Sequence, residues 1–385
     1  MHTITFTCET ITPMFLSGAD GTTPELRAPS IKGALRFWWR AMNGKLPQKE
    51  NGTFDYLPLK SSEQSIFGGT GGFKSNNKKQ EAARSDFNIR ISNASEYAYQ
   101  SKNDFKDKPG LRYFYYLIVP GEKGQSPMNE NDKALKPGNT FDVIFSANEK
   151  EALLDACASF WLLTYFGGLG SRARRGGGSF RITGVTDKDN ILQDKLQMLP
   201  TNNPKDFLEQ GLKEVVQIVQ KKQDDTICSE YSTLQSNRVY VSKNGENSWK
   251  EALDKIASMM KNIRTDTKRP PDRTQTQATL HQKAAFGLPI SVRGEKKNVV
   301  EFSKKDKDKD DFNHHSSPIM ISIVQFGTKF YWTLVYLQGD FMPPDTKIVF
   351  NPTTGLPKQK WNDVDNTLLK SFITTISNTS TSIKF

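Results

Sequence analysis

The stretch Gly167–Gly178 reads GGLGSRARRGGG and contains six glycines and three arginines. Glycine lets the backbone adopt positive φ angles and lets another molecule come close to the main chain. Arginine carries a planar, permanently charged group that matches the geometry of phosphate oxygens. Amides and guanidinium groups together on this glycine-arginine loop predict a binding surface for a polyanion. The alternative is a flexible glycine linker whose arginines only keep the chain in solution.

The residues on either side of the glycine-arginine loop predict its place in a fold. Upstream, Glu149–Phe166 has apolar residues at near-helical spacing, and downstream Ser179–Val185 alternates as a strand does. A loop from a helix to a strand is the last connection of a ferredoxin-like βαββαβ unit. The order of these elements, and the lack of a Lys-Ser/Thr pair after the glycines, argue against a Walker A loop.

The sequence before the loop supplies the other elements of such a unit. The predicted elements are strands at Thr3–Cys8, Phe87–Ser92, Leu111–Val119 and Thr140–Phe145, and a helix at Ser30–Met42. Asn43–Asp86 is interpreted as a long loop. Within it, Gly68–Gly72 either forms a second backbone surface that faces the ligand or simply makes turns. These elements predict a ferredoxin-like domain over residues 1–185, with long loop insertions.

The pattern restarts after this point and predicts a second α+β domain over residues 186–385. The predicted elements are helices at Phe207–Lys222, Trp249–Ile263 and Trp361–Ile376, a strand at Arg238–Ser242, and a hairpin of Pro318–Phe326 with Lys329–Leu337. The second domain is inferred to repeat the ferredoxin-like plan. The predicted fold is therefore α+β, with two ferredoxin-like domains and long loop insertions.

The predicted helix Ser30–Met42 has two faces, and Ser30 is its expected N-cap. Leu35, Trp38, Trp39 and Met42 recur at helical spacing and predict a core face. Lys32, Arg36 and Arg40 form a basic stripe beside that face, with no acidic residue inside the helix to pair with them. This stripe is either a solvated surface or a second contact for RNA.

Composition narrows the class of partner. The 385-residue chain has a formal net charge of +11 and a pI of about 9.3, which favours nucleic acid as a partner. It has neither an apolar run of about 18 residues nor a basic-then-apolar leader, so we expect a cytoplasmic protein with no membrane contact. Cys8, Cys157 and Cys228 form no disulfide or zinc pattern and are expected to be buried. The four scattered histidines suggest no metal site, and no cofactor is expected.

Three segments together resemble one family: Pro24–Gly44, Ser65–Gly72 and Phe166–Phe180. They resemble the RAMP superfamily of CRISPR-associated RNA-binding proteins, and within it the first-subunit family of type III-B (Cmr) effector complexes. Two later segments, Phe286–Ile290 and Ser316–Ile321, also resemble that family. One departure is Gly177, which stands where the family pattern has an aromatic residue, and this argues against base stacking at that point.

The resemblance implies two RRM-related, ferredoxin-like domains in a ribonucleoprotein of antiviral defence. The subunit is expected near the 3′ end of the CRISPR RNA, where it contacts guide and target RNA and other Cmr subunits. It implies no small-molecule substrate and no catalytic role, because target cleavage and signalling belong to other subunits. The remaining alternatives are a mainly structural capping subunit and a RAMP-type endoribonuclease that uses His281, His314 or His315 in acid/base chemistry.

The candidate RNA-binding residues come from both cationic segments and their surroundings. They are Arg27, Lys32, Arg36, Arg40, Gly168, Gly170, Ser171, Arg172, Arg174, Arg175, Gly176 and Arg181. We expect the glycine-arginine loop and the basic stripe to line one groove that holds phosphates without reading bases.

Overall fold

A computed structural model describes most of the chain. The described residues are 1–16, 18, 25–44, 46, 49–50, 54–69, 74–75, 78–79, 82–92, 97–99, 107–115, 133–201, 203–219, 232–265, 280–288, 290, 300–304, 315–340, 346–350 and 359–385. Cys228, His314, Gly71, Gly72 and most of the charged run from 303 to 311 lie outside them.

The described residues form strands and helices that we number in chain order. The strands are β1 His2–Thr10, β2 Met14–Phe15, β3 Lys74–Ser75, β4 Lys78–Lys79, β5 Phe87–Ser92, β6 Tyr97–Tyr99, β7 Lys133–Leu135, β8 Thr140–Ala147, β9 Phe180–Asp187, β10 Val239–Ser242, β11 Val300–Lys304, β12 Ile319–Phe326, β13 Lys329–Tyr336, β14 Thr346–Phe350, β15 Gln359–Trp361 and β16 Ser380–Ile383. The α-helices are α1 Ala28–Met42, α2 Leu57–Phe67, α3 Pro109–Phe114, α4 Lys150–Phe166, α5 Pro204–Val219, α6 Trp249–Thr265 and α7 Thr367–Thr379.

Two four-stranded sheets have the same topology. The first sheet has the order β5-β8-β1-β9, and the second has the order β12-β13-β10-β16, with every neighbouring pair antiparallel. In the first sheet, α1 follows β1 and α4 follows β8; in the second, α6 follows β10 and α7 follows β13. Both sheets therefore arise from the chain order β-α-β-β-α-β, and the predicted α+β class is confirmed.

The helix α4 is the centre of the molecule. All residues from Ala152 to Phe166 are buried, so the helix is covered on every side rather than on one face. On one side it packs against β5, β8 and β9 of the first sheet, and on another it contacts β12 and β13 of the second sheet. The helices α1 and α5 cover it further. Burial on every side is the usual position of a helix that is apolar on all its faces.

The second sheet is covered on both faces. Along β12, Met320, Val324 and Phe326 join the core around α4, whereas Ile321 and Ile323 join a second core with α6 and α7. A strand that is buried on both faces reads as a continuous apolar run. In the first sheet, β1 alternates as predicted, with Ile4, Phe6 and Cys8 buried and the threonines between them more exposed.

Several predicted elements are wrong and need correction. The predicted strand Leu111–Val119 is wrong, because its first residues belong to the helix α3, which begins at Pro109. Asp254 of α6 stabilises the start of this helix. Gly110 N and Leu111 N donate to Asp254 Oδ1 at 2.8 and 3.1 Å. The predicted long loop Asn43–Asp86 contains α2. The predicted final helix begins later, at Thr367, and β15 occupies its expected start.

The start of α1 also differs from the prediction. The helix begins at Ala28, with Arg27 at the N-cap position and a proline in the first turn, and no side chain caps it. Ser30 is therefore not the N-cap. The predicted hairpin of β12 and β13 is confirmed, and its turn places Gly327 at φ 57°.

Candidate nucleic-acid interface

The glycine-arginine loop joins α4 to β9, as predicted, and it folds into a compact turn. Leu169 N donates to Gly178 O at 3.0 Å, which closes the loop on itself. Ser171 N donates to Phe15 O at 2.8 Å and Gly178 N donates to Pro13 O at 2.9 Å, which fastens it to the segment after β1. A flexible linker does not fit this geometry.

The candidate glycines of the loop lie against protein atoms. A Cβ at Gly168 would lie 2.5 Å from Gly177 O, and one at Gly170 would overlap Phe15 O. Gly176 has φ 73°, and a Cβ there would lie 2.5 Å from Leu253 Cδ1 of α6. The first role of these glycines in the structure is therefore close packing, and Gly176 packs against the second half of the chain.

Arg174 and Arg175 point between the two halves of the chain. Arg174 Nη1 donates to Ser317 O at 2.6 Å, and its guanidinium lies 5.2 Å from the centre of the Phe37 ring on α1. Arg175 Nη1 lies 3.6 Å from Met260 Sδ, and its guanidinium lies 5.4 Å from the Phe114 ring.

The loop arginines remain cationic in this partly enclosed setting. Burial lowers the pKa of Arg174 and of Arg175 to about 10, and for Arg175 the neighbouring Arg264 adds to this effect. Burial also lowers the pKa of Arg172, which adopts the left-handed conformation at φ 63°. The side chain of Arg172 is half-buried, and Ser171 beside it is exposed.

The basic stripe lines a cleft of about 900 Å³ between α1 and α2. We call it the α1–α2 cleft. The described lining residues Lys32, Arg36, Arg40 and Lys60, against Glu63, leave it a net charge of +3. Gly68 and Gly69 also line it, so this part of the second glycine segment faces the same space as the stripe.

Contacts inside the cleft hold the cations in place. Arg36 Nη2 donates to Phe67 O at 2.7 Å, and the Glu63 carboxylate lies 3.6 Å from Arg36 and 3.4 Å from Arg40. Lys32 Nζ lies 5.2 Å from the centre of the Phe87 ring, and burial, followed by repulsion from Arg36, lowers the pKa of Lys32. The acidic partner absent from α1 is thus supplied by α2, the helix that the sequence analysis missed.

The two cationic segments meet on α1 but do not line one cleft. Arg174 contacts Phe37, the residue after Arg36, so the loop abuts the helix that carries the stripe. The described residues that line the α1–α2 cleft, however, include none of the loop arginines. The expected single groove is therefore corrected to two neighbouring surfaces on α1.

The remaining candidate cations are half-buried and lie in ion pairs. Arg181 Nη2 lies 2.8 Å from Glu9 Oε2, and Arg27 Nε lies 3.6 Å from Glu25 Oε2. Their role as RNA contacts remains a prediction.

The described histidines occupy separate settings. The His281 ring stacks on Trp361 with centroids 4.4 Å apart, and its Nε2 lies 2.8 Å from Asp363 O. His315 is half-buried, and burial lowers the pKa of its imidazole below the ordinary value. Among the residues that the structure describes, no group of three or more His, Cys, Asp or Glu side chains is arranged to hold a metal ion. No helix in this part of the chain meets the length and apolarity needed to cross a membrane.

Comparison with known proteins agrees with the fold and with the motifs. Residues 7–181 match the model of the RAMP superfamily. The CRISPR system Cmr subunit Cmr1-1 of Pyrococcus furiosus is 27% identical over 329 residues, which cover 83% of this chain and 82% of that protein.

Two solved structures share the fold over nearly the whole chain. The crystal structure of Cmr1 from Pyrococcus furiosus in its apo form has a TM-score of 0.57 at 22% identity and covers 94% of this chain and 99% of its own. A cryo-EM structure of the Type III-B Cmr-beta bound to cognate target RNA contains a chain with a TM-score of 0.56 at 12% identity. The match covers 98% of this chain and 99% of that chain. Residues 7–181 therefore resemble the RAMP superfamily, and the chain as a whole resembles the Cmr1 subunits of Cmr complexes.

Proposed function

We propose that this chain is a non-catalytic RNA-binding subunit of a type III-B Cmr ribonucleoprotein effector complex. It lies near the 3′ end of the CRISPR RNA and helps capture complementary target RNA in antiviral defence, with the other Cmr subunits as its partners. The similarity to Cmr1 proteins supports the assembly. The observation that carries RNA binding is the α1–α2 cleft, where the basic stripe and Gly68–Gly69 face one space with a net charge of +3.

The proposal includes two ferredoxin-like domains, residues 1–185 and 186–385. The shared strand order of the two sheets and their shared β-α-β-β-α-β chain order support it. The two domains are not separate bodies, because α4 belongs to the first and packs on β12 and β13 of the second.

The cleft acts on phosphates rather than on base sequence. Guanidinium and ammonium groups bind the RNA backbone, while guide–target pairing supplies specificity. Ser171 is exposed and Arg172 is half-buried, and together they offer the RNA backbone a second contact on the glycine-arginine loop. Arg174 and Arg175 fix the glycine-arginine loop through their contacts with both halves of the chain, and they add positive charge to the loop.

The test removes the basic stripe in the triple variant Lys32→Ala, Arg36→Ala, Arg40→Ala. We expect weaker binding of single-stranded RNA and a slope of log affinity against log salt that is shallower by about 2, because each lost phosphate contact removes about 0.7 from it. The measurement is fluorescence anisotropy of labelled RNA over a range of salt concentrations.

The control is Lys188→Ala, Lys195→Ala, Lys213→Ala, which removes the same charge from exposed positions outside the cleft. Glu63→Gln supplies the opposite change, since it removes the acidic partner of Arg36 and Arg40 and is expected to tighten binding. Equal slopes for the two triple variants would show that the cleft does not bind RNA.

A further inference from the structure

A second cavity lies in the other half of the chain, where β10 begins, β13 ends and α7 begins. Its volume is about 340 Å³, and its lining includes Arg238, His315, Tyr336, Gln338, Asp340 and Asn366. We call it the Arg238 cavity. A volume near the lower end of the range for small-ligand sites fits one nucleotide and excludes a duplex.

The distinctive group in this cavity is Arg238. Its guanidinium lies 4.7 Å from the centre of the Tyr336 ring, so the cation is stacked on the aromatic face. Within the described part of the chain, no carboxylate lies within ion-pair distance of it. The pairing of β10 with β13 fixes both residues, because Tyr336 N donates to Arg238 O at 2.9 Å. An arginine plane held this way is a surface on which an unpaired base stacks.

The rest of the rim is held by backbone hydrogen bonds. Thr233 and Gln338 exchange two of them, at 2.6 and 2.8 Å, and Leu337 N donates to Pro318 O at 2.9 Å. His315 and Leu288 exchange two more, at 2.8 and 2.9 Å. Gln338, Asn366 and Asp340 also line the cavity, and their side chains carry groups of the kind that bind base edges. The cavity is therefore formed before a ligand arrives.

Two hydrogen bonds lie next to the lining of the cavity. Beside its lining residue Ser232, Leu234 N donates to Ala41 O at 2.8 Å, directly after Arg40 of the basic stripe. On another side, Ser317 O, between the lining residues His315 and Pro318, accepts from Arg174. Backbone contacts thus connect residues next to the cavity with the end of α1 and with the glycine-arginine loop.

We propose that the Arg238 cavity binds one unpaired nucleotide, with its base stacked on the guanidinium of Arg238. The polar groups of Gln338, Asp340 and Asn366 hold the base edge. The nucleotide belongs to the RNA strand of the proposed function, on which this inference rests, and a free mononucleotide is the other source with the same chemistry.

The experiment uses the full chain and single-stranded RNA that carries 4-thiouridine at successive positions. After irradiation, the crosslinked peptides are identified by mass spectrometry. We expect crosslinks within residues 232–238, 315–318 or 336–340. Arg238→Ala is expected to lower their yield about tenfold and RNA affinity about fivefold, in line with the loss of one stacked base. Arg238→Lys, which keeps the charge but removes the plane, is expected to lower the crosslink yield similarly.

The outcomes separate this inference from the proposed function. Crosslinks at the cavity that persist in the triple variant of the basic stripe support nucleotide binding by the Arg238 cavity. They do so even if the salt dependence shows that the α1–α2 cleft does not bind RNA. Crosslinks that map only elsewhere, or that Arg238→Ala leaves unchanged, overturn the cavity. A competition arm with nucleoside monophosphates distinguishes the source: displacement of the crosslinks at micromolar concentration would assign the cavity to free mononucleotides and overturn the RNA assignment.

Discussion

At the scale of single residues, Arg174 shows what a cation in a recognised motif contacts once the chain is folded. Its guanidinium joins three parts of the molecule: the glycine-arginine loop, Phe37 of α1 and the carbonyl of Ser317 before β12. The residue types of the motif predicted phosphate contact. They carried no information about Ser317, which lies 143 positions away in the sequence. The sequence predicted that the loop and α1 line one groove, but it did not predict a direct contact between Arg174 and Phe37.

Replacing Arg174 tests this structural role. Arg174→Met keeps an apolar chain against Phe37 but leaves the Ser317 carbonyl without its charged donor, so we expect the free energy of unfolding to fall by about 2 kcal/mol. Urea unfolding followed by tryptophan fluorescence measures the change, with the exposed Lys188→Ala as the control for charge. A loss below about 0.5 kcal/mol, the usual range for surface substitutions, would show that the contact does not stabilise the protein.

At the scale of elements, segments with a clear apolar period were predictable. Segments whose structure depends on residues far away in the sequence were not. The alternation of β1 and the apolar spacing of α5 and α6 are local patterns, and the structure confirms these elements. The run that begins at Leu111 has the aromatic composition of a strand, but Asp254 of α6 caps it as a helix. The helix α2 buries only Leu59, Gln64 and Phe67, too few positions to produce a clear period.

The candidate site follows the same rule. The cations of α1 were predictable from their spacing of four residues, whereas Glu63, which pairs with two of them, lies on the helix that went unpredicted. The Arg238 cavity combines residues from five separated segments, so no local pattern marks it.

Two glycines with positive φ provide a matched test of the glycine-arginine loop. Gly178 has φ 67°, and a Cβ there would overlap the carbonyl oxygen of Leu169, a backbone atom that cannot rotate away. Gly138 has φ 87° and open space around its Cα. We expect Gly138→Ala to cost about 1 kcal/mol, the cost of the backbone conformation alone, and Gly178→Ala to cost at least about 3 kcal/mol more. Thermal unfolding of the two variants measures the difference; similar melting temperatures would show that the loop yields without strain.

At the scale of the whole molecule, the two sheets share one buried helix. The core around α4 contains Ile4 and Phe6 of the first sheet together with Val324 and Val335 of the second. Thr333 Oγ1 donates to Tyr165 O at 2.9 Å, and the Ser179 and Ser322 hydroxyls lie 3.1 Å apart, which adds polar contacts across the same junction. A chain of this length usually divides into domains that unfold separately, and this junction opposes that division.

We therefore expect cooperative unfolding of both sheets. Phe372→Ala removes a fully buried ring from the core between the second sheet and α7, at an expected cost of about 3–5 kcal/mol. Calorimetry is expected to show one transition that moves to lower temperature, and hydrogen exchange is expected to show the amides of β1 losing protection together with those of β12. Two transitions, with only the second sheet affected, would contradict a shared unfolding unit.

The position of α4 between the sheets also decides how the chain responds to force. A helix enclosed by both sheets leaves no hinge at that junction, so a pull on one sheet passes directly to the other. Under load the two sheets are therefore expected to move as one stiff unit of fixed length.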